Sequence, residues 1–459
     1  MIRLFKAYFP TRTLLLTLTE GILVTLGFLL AVVFWAGTTA DANIYLVYEN
    51  GAGRIGIIVA VFLILMYYFD LYNTRVIRNR REVVTRLVGV LGCTFVALAV
   101  LYYTFPNMSL GGSALWLGIL IVAVAVPAWR GFFFTLSSSA RFAERIIIFG
   151  DGPLAGSLID EISRRPELGL RIVGYVGKQV QAASIRTIEM DSLEEVVKQQ
   201  GVRRIIVTMA DRRGKLPVAT LLRLKASGVQ IQDGPQYYES ATGKIPLESL
   251  RLSWLLFSPG FHVGAGLRIY KRIFSLFLGA LAIVLTAPLM LLTMIAIRLD
   301  SKGPALFKQQ RVGENAHLFT VYKFRSMYDG SHKEHQRPAE YDDARVTRVG
   351  RWLRRTRLDE LPQLFNIVKG DMAFVGPRPF VPEQEEEYAA QIPFYRERWL
   401  VKPGATGWAQ INRGYNATLD DNREKLAYDL FYIKNVSVGL DLFILFLTMK
   451  ILLLGRGGR

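Results

Sequence analysis

Two adjacent acids, Asp359 and Glu360, stand in a segment that is otherwise rich in arginine. Four arginines precede them closely: Arg351, Arg354, Arg355 and Arg357. Carboxylates surrounded by guanidinium groups stay ionised at neutral pH, and the same guanidinium groups can bind phosphate oxygens. Two neighbouring carboxylates also allow a division of roles, in which one attacks phosphorus and the other holds Mg2+ beside a diphosphate. Taken alone, the segment is better explained as a helix start with solvated ion pairs.

Three further motifs in the same part of the chain supply more cations and tight turns. Lys323 and Arg325 are two cations separated by one residue, and Arg378 stands on the Gly-Pro-Arg-Pro turn at 376–379. The segment 402–407 is a glycine loop close to Trp408, suited to a phosphate and a flat base. Together with the two acids, these motifs favour chemistry that joins a charged nucleotide substrate to a membrane lipid.

The composition indicates a membrane protein with a strong positive charge. Of the 459 residues 51% are hydrophobic and 20% charged, and 56 Lys and Arg against 38 Asp and Glu give a net charge of +18. Such a charge attracts anionic lipid, phosphorylated substrates or nucleic acid. Because the basic residues cluster beside apolar segments and acids, we do not expect nucleic-acid binding.

The chain offers little for a metal site made of cysteine or histidine. The single cysteine, Cys93, excludes a disulfide framework and a cysteine-based zinc cluster within one chain. His332 and His335 lie in a polar segment and are expected to belong to a solvated loop rather than to a metal site.

Four apolar stretches in the first third of the chain are long enough, or nearly so, to cross a bilayer: 14–35, 55–72, 83–105 and 115–134. Lys and Arg precede the first stretch and follow the second and the fourth, so the positive-inside rule predicts that both ends of this bundle are cytoplasmic. Glu20 and Asp70 are the embedded acids, and we expect them to be bonded to partners or to reach the interface rather than to form an ion path.

A fifth apolar run covers about 273–297 and contains Pro288. Lys271 and Arg272 precede the run, and Arg298 and Lys302 follow it, so both ends carry the cytoplasmic signature. A helix interrupted near Ala287–Pro288 could enter the membrane and return to the same face, which predicts a re-entrant helix at about 271–299. A straight span with a proline kink is the alternative.

Between these membrane segments, residues 141–259 alternate short β-branched runs with helical stretches, which is the pattern of a doubly wound parallel sheet. The turn at 150–156 approximates G-x-G-x-x-G with Ala155 in the third place, a pattern that can bind a phosphate at a helix N-terminus. No acid follows the second strand where a ribose hydroxyl would be bound, so a structural or regulatory Rossmann-like domain is favoured.

The run from 271 to the C-terminus resembles the bacterial sugar transferases, which are polyprenyl-phosphate phosphoglycosyltransferases with a monotopic catalytic core. Five ordered motifs carry the resemblance: 321–327 (Val-Tyr-Lys-Phe-Arg-Ser-Met), 345–350 (Arg-Val-Thr-Arg-Val-Gly), 358–363 (Leu-Asp-Glu-Leu-Pro-Gln), 376–379 (Gly-Pro-Arg-Pro) and 402–404 (Lys-Pro-Gly). The N-terminal helices and the Rossmann-like domain resemble the long members of that family, and the opening residues resemble the subgroup associated with exopolysaccharide loci and the exosortase system.

The resemblance implies a two-step transfer. Asp359 would attack the β-phosphate of a UDP-sugar, form a phosphosugar-aspartyl intermediate and release UMP, while Glu360 would bind Mg2+. Polyprenyl (undecaprenyl) phosphate in the inner leaflet would then take over the phosphosugar. The implied substrate-binding residues are Lys323, Arg325, Arg354, Arg355, Arg378, Lys402, Gly404 and Thr406, and the implied structural residues are Pro288, Gly376, Pro377 and Pro379. The family often interrupts its re-entrant helix at Ser-Pro, whereas this chain has Ala287-Pro288.

The predicted protein is therefore of the membrane α plus α/β class. It comprises a four-helix transmembrane bundle (1–138), a Rossmann-like cytoplasmic domain (139–262) and a mostly helical phosphoglycosyltransferase domain (263–459). It is expected in the bacterial inner membrane with its catalytic domain on the cytoplasmic face. The expected partners are a UDP-sugar, polyprenyl phosphate and membrane lipids, and the helical bundle and accessory domain are compatible with a homodimer. Two alternatives stay open: an NAD-dependent nucleotide-sugar-modifying enzyme centred on the 150–156 turn, and a non-enzymatic scaffold of polysaccharide export.

Overall fold

The computed structural model describes residues 1–73, 80–138, 143–177, 185–209, 216–250, 252–330, 343–413 and 418–454. The chain forms two compact units, the first with residues 1–2 and 8–237 and the second with residues 3–7 and 238–459. The predicted boundary at 138/139 falls at the edge of residues that are not described, and the division into three domains stays a prediction.

The first unit begins with apolar helices. A short hairpin, β1 (Ile2–Leu4) and β2 (Ala7–Phe9), of which residues 3–7 belong to the second unit, comes before the helices. These are α1 (Thr11–Ala36), α2 (Thr39–Tyr48), α3 (Gly51–Tyr68), α4 (Arg80–Thr104) and α5 (Gly112–Ser138). Helices α1, α3, α4 and α5 are long and apolar enough to cross a membrane, which confirms the four predicted stretches. Val24, Phe28 and Met66 are buried between helices, whereas Leu18, Leu26 and other large apolar side chains face outward, as lipid contact requires.

Glu20 is bonded to a cation inside this helical region. Its carboxylate is fully buried, and the Arg130 guanidinium, 2% exposed, lies 2.6 Å away through Nε and donates from a second nitrogen at 3.0 Å. The Tyr72 hydroxyl donates to the same carboxylate at 2.7 Å, and Arg130 also donates to the Leu71 carbonyl at 2.8 Å. This pairing confirms the expectation that the embedded acid is bonded to partners.

A four-stranded sheet follows in the first unit. Its strands β3 (Glu144–Phe149), β4 (Leu170–Val176), β5 (Arg204–Val207) and β6 (Gln230–Asp233) are all parallel, in the order β4-β3-β5-β6. The accompanying helices are α6 (Pro153–Ser163), α7 (Leu193–Gln200), α8 (Val218–Ala226) and α9 (Gly234–Thr242). Because Ile146, Ile147 and Ile148 are all fully buried, the central strand is covered on both faces, as in a doubly wound fold. The predicted α/β fold is confirmed.

The second unit is mostly helical. Its helices are α10 (Leu252–Phe257), α11 (Ala265–Asp300), α12 (Arg348–Thr356), α13 (Gln363–Lys369), α14 (Pro382–Gln391), α15 (Trp408–Asn412), α16 (Leu419–Asn435) and α17 (Val438–Leu453). Two small sheets complete it: β7 (Leu306–Val312) pairs antiparallel with β8 (Leu318–Phe324), and β9 (Ala373–Val375) pairs parallel with β10 (Gly404–Thr406).

Helix α11 is the fifth helix that is long and apolar enough to cross a membrane. Its backbone stays helical for all 36 residues, so the predicted interruption near Ala287–Pro288 is not observed. A proline inside a helix removes one backbone donor and bends the helix without ending it when the neighbouring turns hold their bonds. The re-entrant path across the membrane stays a prediction.

Candidate active site

The two acids lie on a short turn between α12 and α13. Helix α12 begins after Thr347, whose side chain accepts a bond from the Gly350 N–H at 2.9 Å, and it ends where Arg357 takes a left-handed conformation with φ 58°. A single 3-10 turn, Leu358–Glu360, follows. Leu358 and Leu361 pack against the buried cluster that contains Leu353. The apolar residues on either side of the acids thereby anchor the turn that presents them.

Glu360 is the centre of a cationic cluster. One carboxylate oxygen, Oε1, accepts from Lys323 Nζ and from an Arg378 guanidinium nitrogen, both at 3.1 Å. The other oxygen, Oε2, lies 3.9 Å from a guanidinium nitrogen of Arg357. The side chain remains 19% exposed. Residues from β8, from the turn after β9 and from the corner after α12 therefore converge on one carboxylate.

The environments of the two acids move their pKa values in opposite directions. Burial, and then the charge of Glu360, raise the pKa of Asp359 to about 6, although Lys323, Arg354 and Arg378 oppose the shift. Burial also acts to raise the pKa of Glu360, but Lys323, Arg378 and Arg357 outweigh it and hold that pKa well below its usual range. At pH 7 Asp359 is then mostly ionised. Separation of this kind between two close carboxylates is typical of a pair with different chemical roles.

Two cations at this site are absent from the substrate-binding residues that the family resemblance implies. Arg357 is one. Arg311 on β7 is the other, because it donates to the Pro379 carbonyl at 3.3 Å, and its pKa falls to about 10 through burial first and the charge of Arg378 second, with Glu360 opposing. Arg311 stays charged at neutral pH. No local motif marks Arg311, and the left-handed corner at Arg357 cannot be read from the arginine-rich run.

Five cations thus act on two carboxylates: Lys323, Arg378, Arg357, Arg354 and Arg311. The surplus of positive charge suits a ligand that brings several negative charges of its own, as a diphosphate does. Guanidinium groups that arrive from different elements can bind separate phosphate oxygens. The predicted binding residues Lys323, Arg354 and Arg378 therefore lie at the acids.

Other predicted binding residues make different bonds. Arg325 is 3% exposed and donates to the Ser301 carbonyl and hydroxyl, both at 2.8 Å. Lys402 donates to the Gly370 carbonyl at 2.7 Å, and the buried Thr406 hydroxyl bonds that of Thr448 at 2.7 Å. Arg355 is exposed on α12. These four side chains are used in local structure or face solvent, and their part in substrate binding stays a prediction.

Gly376 and Gly404 hold two loops against each other. The Gly376 N–H donates to the Thr406 carbonyl and the Gly404 N–H donates to the Pro377 carbonyl, both at 2.9 Å. A Cβ atom on Gly404 would overlap the backbone nitrogen of Gly376, so the approach requires glycine. The loop predicted to contact the nucleotide therefore supports the turn that presents Arg378.

The residues at the acids fit a magnesium ion. Within the described parts of the chain, no group of three or more His, Cys, Asp and Glu side chains lies close enough to hold a metal. Mg2+ needs fewer protein ligands, because it is commonly bound through one or two carboxylates together with water and substrate phosphates. Asp359 and Glu360 supply two carboxylates of this type. His332 and His335 lie outside the described residues.

The glycine turn of the parallel sheet is tightly packed at Gly150 and open at Gly152. Gly150 and Gly152 have φ 118° and 116°, and a Cβ atom on Gly150 would overlap Met209. Asp151 Oδ1 accepts from the Tyr175 hydroxyl at 2.8 Å. A carboxylate next to the start of α6 repels the pyrophosphate of a dinucleotide, so the geometry favours the structural role.

Apolar helices, a parallel sheet and a pair of acids among cations together define a membrane-associated protein with a strongly cationic site. Residues 267–455 match the family model of the bacterial sugar transferases, and residues 67–232 match a model described as a CoA-binding domain. The chain belongs to the bacterial sugar transferase family.

The chain is similar to named relatives over half of its length or more. The chain is 31% identical over 340 residues to the UDP-glucose:undecaprenyl-phosphate glucose-1-phosphate transferase of Klebsiella pneumoniae, covering 72% of each chain. A protein of the same name from Xanthomonas campestris pv. campestris is 29% identical over 470 residues, covering 97% of this chain and 94% of the relative. The UDP-N-acetylgalactosamine-undecaprenyl-phosphate N-acetylgalactosaminephosphotransferase of Aeromonas hydrophila is 41% identical over 242 residues, with 52% of this chain matched to 56% of that relative's length.

Proposed function

We propose that this protein is a polyprenyl-phosphate sugar phosphotransferase that moves a sugar 1-phosphate from a UDP-sugar to undecaprenyl phosphate. In the first step an Asp359 oxygen forms a bond to the β-phosphorus of the donor. The bond from that phosphorus to the bridging oxygen breaks, and its electron pair leaves with UMP. In the second step an oxygen of the polyprenyl phosphate bonds to the same phosphorus, and the bond to Asp359 breaks.

The observation that carries this proposal is the pair of unequal acids within five cations. A nucleophile has to be ionised yet poorly solvated, and Asp359 meets both conditions, since it is largely ionised at neutral pH and its pKa is raised by burial. The Lys323, Arg357 and Arg378 groups, which surround Glu360, would bind the phosphate oxygens as charge shifts towards the leaving UMP. The names of the relatives support a UDP-sugar donor and an undecaprenyl-phosphate acceptor.

Mg2+ is the proposed cofactor, with Glu360 as its protein ligand beside the nucleophile Asp359. When bound, the ion supplies a positive charge that neutralises the diphosphate. The chain's own cations act beside it: Lys323 and Arg378, now bonded to Glu360 at 3.1 Å, can turn to the incoming phosphates.

The re-entrant path stays part of the proposal, and it requires the continuous helix α11 to bend sharply near Pro288. Ser275 and Gly279 in its first half are buried, as are Met290, Thr293 and Ile297 in its second half, whereas residues 280–289 have no buried member. Both halves therefore pack within the second unit, and the middle is half-buried or exposed. A helix that crossed the membrane would carry one of its halves away from that unit.

We further propose the setting of the reaction. The membrane is the bacterial inner membrane, and the second unit lies on its cytoplasmic face, where the basic residues before and after α11 stay with the anionic headgroups. The product would begin the assembly of an exopolysaccharide or another lipid-linked glycan, and the enzyme would work as a homodimer.

The test is release of UMP from a panel of UDP-sugars by the purified full-length protein, with undecaprenyl phosphate and Mg2+. Asp359→Asn is the inactive variant and Asp420→Asn, at a side chain that is 90% exposed, is the matched control. Metal-dependent release that persists in the control and disappears in Asp359→Asn supports the proposal. Full activity in Asp359→Asn would show that Asp359 is not the nucleophile and would favour the NAD-dependent alternative at the 150–156 turn.

A further inference from the structure

A second charged cluster lies behind the active site and is completely buried. Its centre is Arg398, 4% exposed, which follows α14 in the chain. Its Nε donates to Asp429 on α16 at 3.0 Å, and one terminal nitrogen donates to Glu385 on α14 at 3.2 Å and to the Tyr395 hydroxyl at 2.7 Å. The remaining terminal nitrogen donates to the backbone carbonyl of Arg378 at 2.8 Å. One guanidinium thus joins two helices to the turn that carries an active-site cation.

The turn at 376–380 depends on bonds to its carbonyl groups. Pro377 and Pro379 have no N–H, so the turn has few donors of its own. Four successive carbonyls are bonded instead: Pro377 by the Gly404 N–H at 2.9 Å, Arg378 by Arg398 at 2.8 Å, Pro379 by Arg311 at 3.3 Å and Phe380 by the Val312 N–H at 3.2 Å. The bond to the Arg378 carbonyl is charge-assisted, and its donor is fixed by two buried carboxylates.

We propose that Arg398 is a positioning residue for the transfer reaction, and that it acts through Arg378 by fixing the backbone from which that guanidinium reaches Glu360 and the donor phosphates. This inference rests on the proposed function. The path from Arg398 to the site is one peptide carbonyl and one side chain, ending in the 3.1 Å bond between Arg378 and Glu360. A displacement of about 1 Å at a catalytic group costs up to about 100-fold in rate.

The planar fork explains why this position needs arginine rather than any cation. Three nitrogens of Arg398 point at three different elements, α14, α16 and the 376–380 turn. A lysine would keep a positive charge between Glu385 and Asp429, but its three donors share one nitrogen and cannot span the acceptors that three separate guanidinium nitrogens now meet. Arg398→Lys therefore preserves the charge balance of the buried cluster and releases the turn.

The experiment is a double-mutant cycle in the full-length protein, with Arg398→Lys, Arg378→Ala and the double variant. Trp399→Phe is the matched control, because the Trp399 indole donates to Glu385 at 3.0 Å in the same cluster and has no bond to the Arg378 carbonyl. Three readouts are compared: kcat and KM for UMP release, the midpoint of thermal unfolding, and hydrogen exchange of the peptide that spans 374–381.

We expect Arg398→Lys to lower kcat/KM by about 10- to 100-fold and to speed hydrogen exchange in the 374–381 peptide. In the Arg378→Ala background the same change should alter kcat/KM by less than about threefold, because the group through which it acts is gone. Trp399→Phe should lower the unfolding midpoint while kcat/KM and exchange of the turn stay near wild type.

Equal losses of activity in both backgrounds would overturn the inference, as would a loss in Trp399→Phe equal to that in Arg398→Lys. If the wild type releases no UMP from any donor, the proposed function is wrong. Hydrogen exchange of the 374–381 peptide then becomes the only test of whether Arg398 fixes the turn. In that case, unchanged hydrogen exchange of the turn in Arg398→Lys would refute the positioning role of Arg398.

Discussion

Arg357 stands at a left-handed corner of the backbone, so two substitutions there can distinguish an effect on stability from an effect on catalysis. Arg357 has φ 58° and ψ 18°, a conformation that costs a residue with a side chain about 1 kcal/mol relative to glycine. Its guanidinium lies 3.9 Å from Glu360 Oε2. Arg357→Gly and Arg357→Ala both remove the charge, but only the alanine variant keeps the backbone cost. The two variants should therefore differ in stability and agree in activity.

The expected changes in the free energy of unfolding follow from the lost ion pair with Glu360 and from the relieved backbone strain. The lost ion pair is partly exposed and contributes about 0.2–1 kcal/mol. Relief of the left-handed strain offsets this loss in Arg357→Gly, so its free energy of unfolding should lie within about 1 kcal/mol of wild type. Arg357→Ala should be about 1 kcal/mol less stable than Arg357→Gly. Both should lose about 100-fold in kcat/KM, because one donor to the transferring phosphate is gone.

The assays are denaturant unfolding in detergent and UMP release under identical conditions, with Arg357→Lys as the variant that keeps the charge. Wild-type kcat/KM in Arg357→Gly would show that the guanidinium takes no part in the reaction. Equal stability of the glycine and alanine variants would show that the corner is not left-handed.

Three further outcomes are expected. Lys323→Met should lower kcat/KM by about 100-fold with little change in stability, and unchanged kinetics would remove Lys323 from the site. Removal of divalent metal with a chelator should abolish UMP release, Mg2+ should restore it, and activity that survives chelation would refute the cofactor. Arg130→Met should lower the free energy of unfolding by about 3–5 kcal/mol, because it leaves the buried Glu20 carboxylate without its cation. The variant protein that does fold should keep the wild-type kcat/KM. An unchanged unfolding midpoint would contradict the pairing of Arg130 with Glu20.

The membrane helices and the parallel sheet could be predicted from local sequence because each depends on a pattern within one segment. Apolar stretches such as α1 and α3 are long enough to read by length alone, and the Ile146–Ile148 run is the kind expected of a strand covered on both faces. The acid pair could also be predicted, because its two members are adjacent in sequence. A continuous helix across Pro288 was not predictable in the same way, since proline bends some helices and ends others.

The directions of long side chains could not be predicted from motifs. Lys323 and Arg325 are two residues apart and would share a face in a continuous strand, but β8 ends at Phe324, so the alternation stops and Arg325 turns to Ser301. Arg311 reaches the site only because β7 packs beside the 376–380 turn, a contact between segments far apart in the chain. Tertiary packing therefore determines which cations lie close to Glu360.

The central claim is that the reaction passes through a covalent bond to Asp359. The most direct measurement is isotope exchange between labelled UMP and the UDP-sugar, with Mg2+ present and polyprenyl phosphate absent. A covalent intermediate allows UMP to leave and return without the lipid, so label should enter the UDP-sugar with wild type and not with Asp359→Asn. If transfer to added lipid proceeds while no label is exchanged in its absence, the phosphosugar passes directly to the lipid and the account of Asp359 as nucleophile is contradicted.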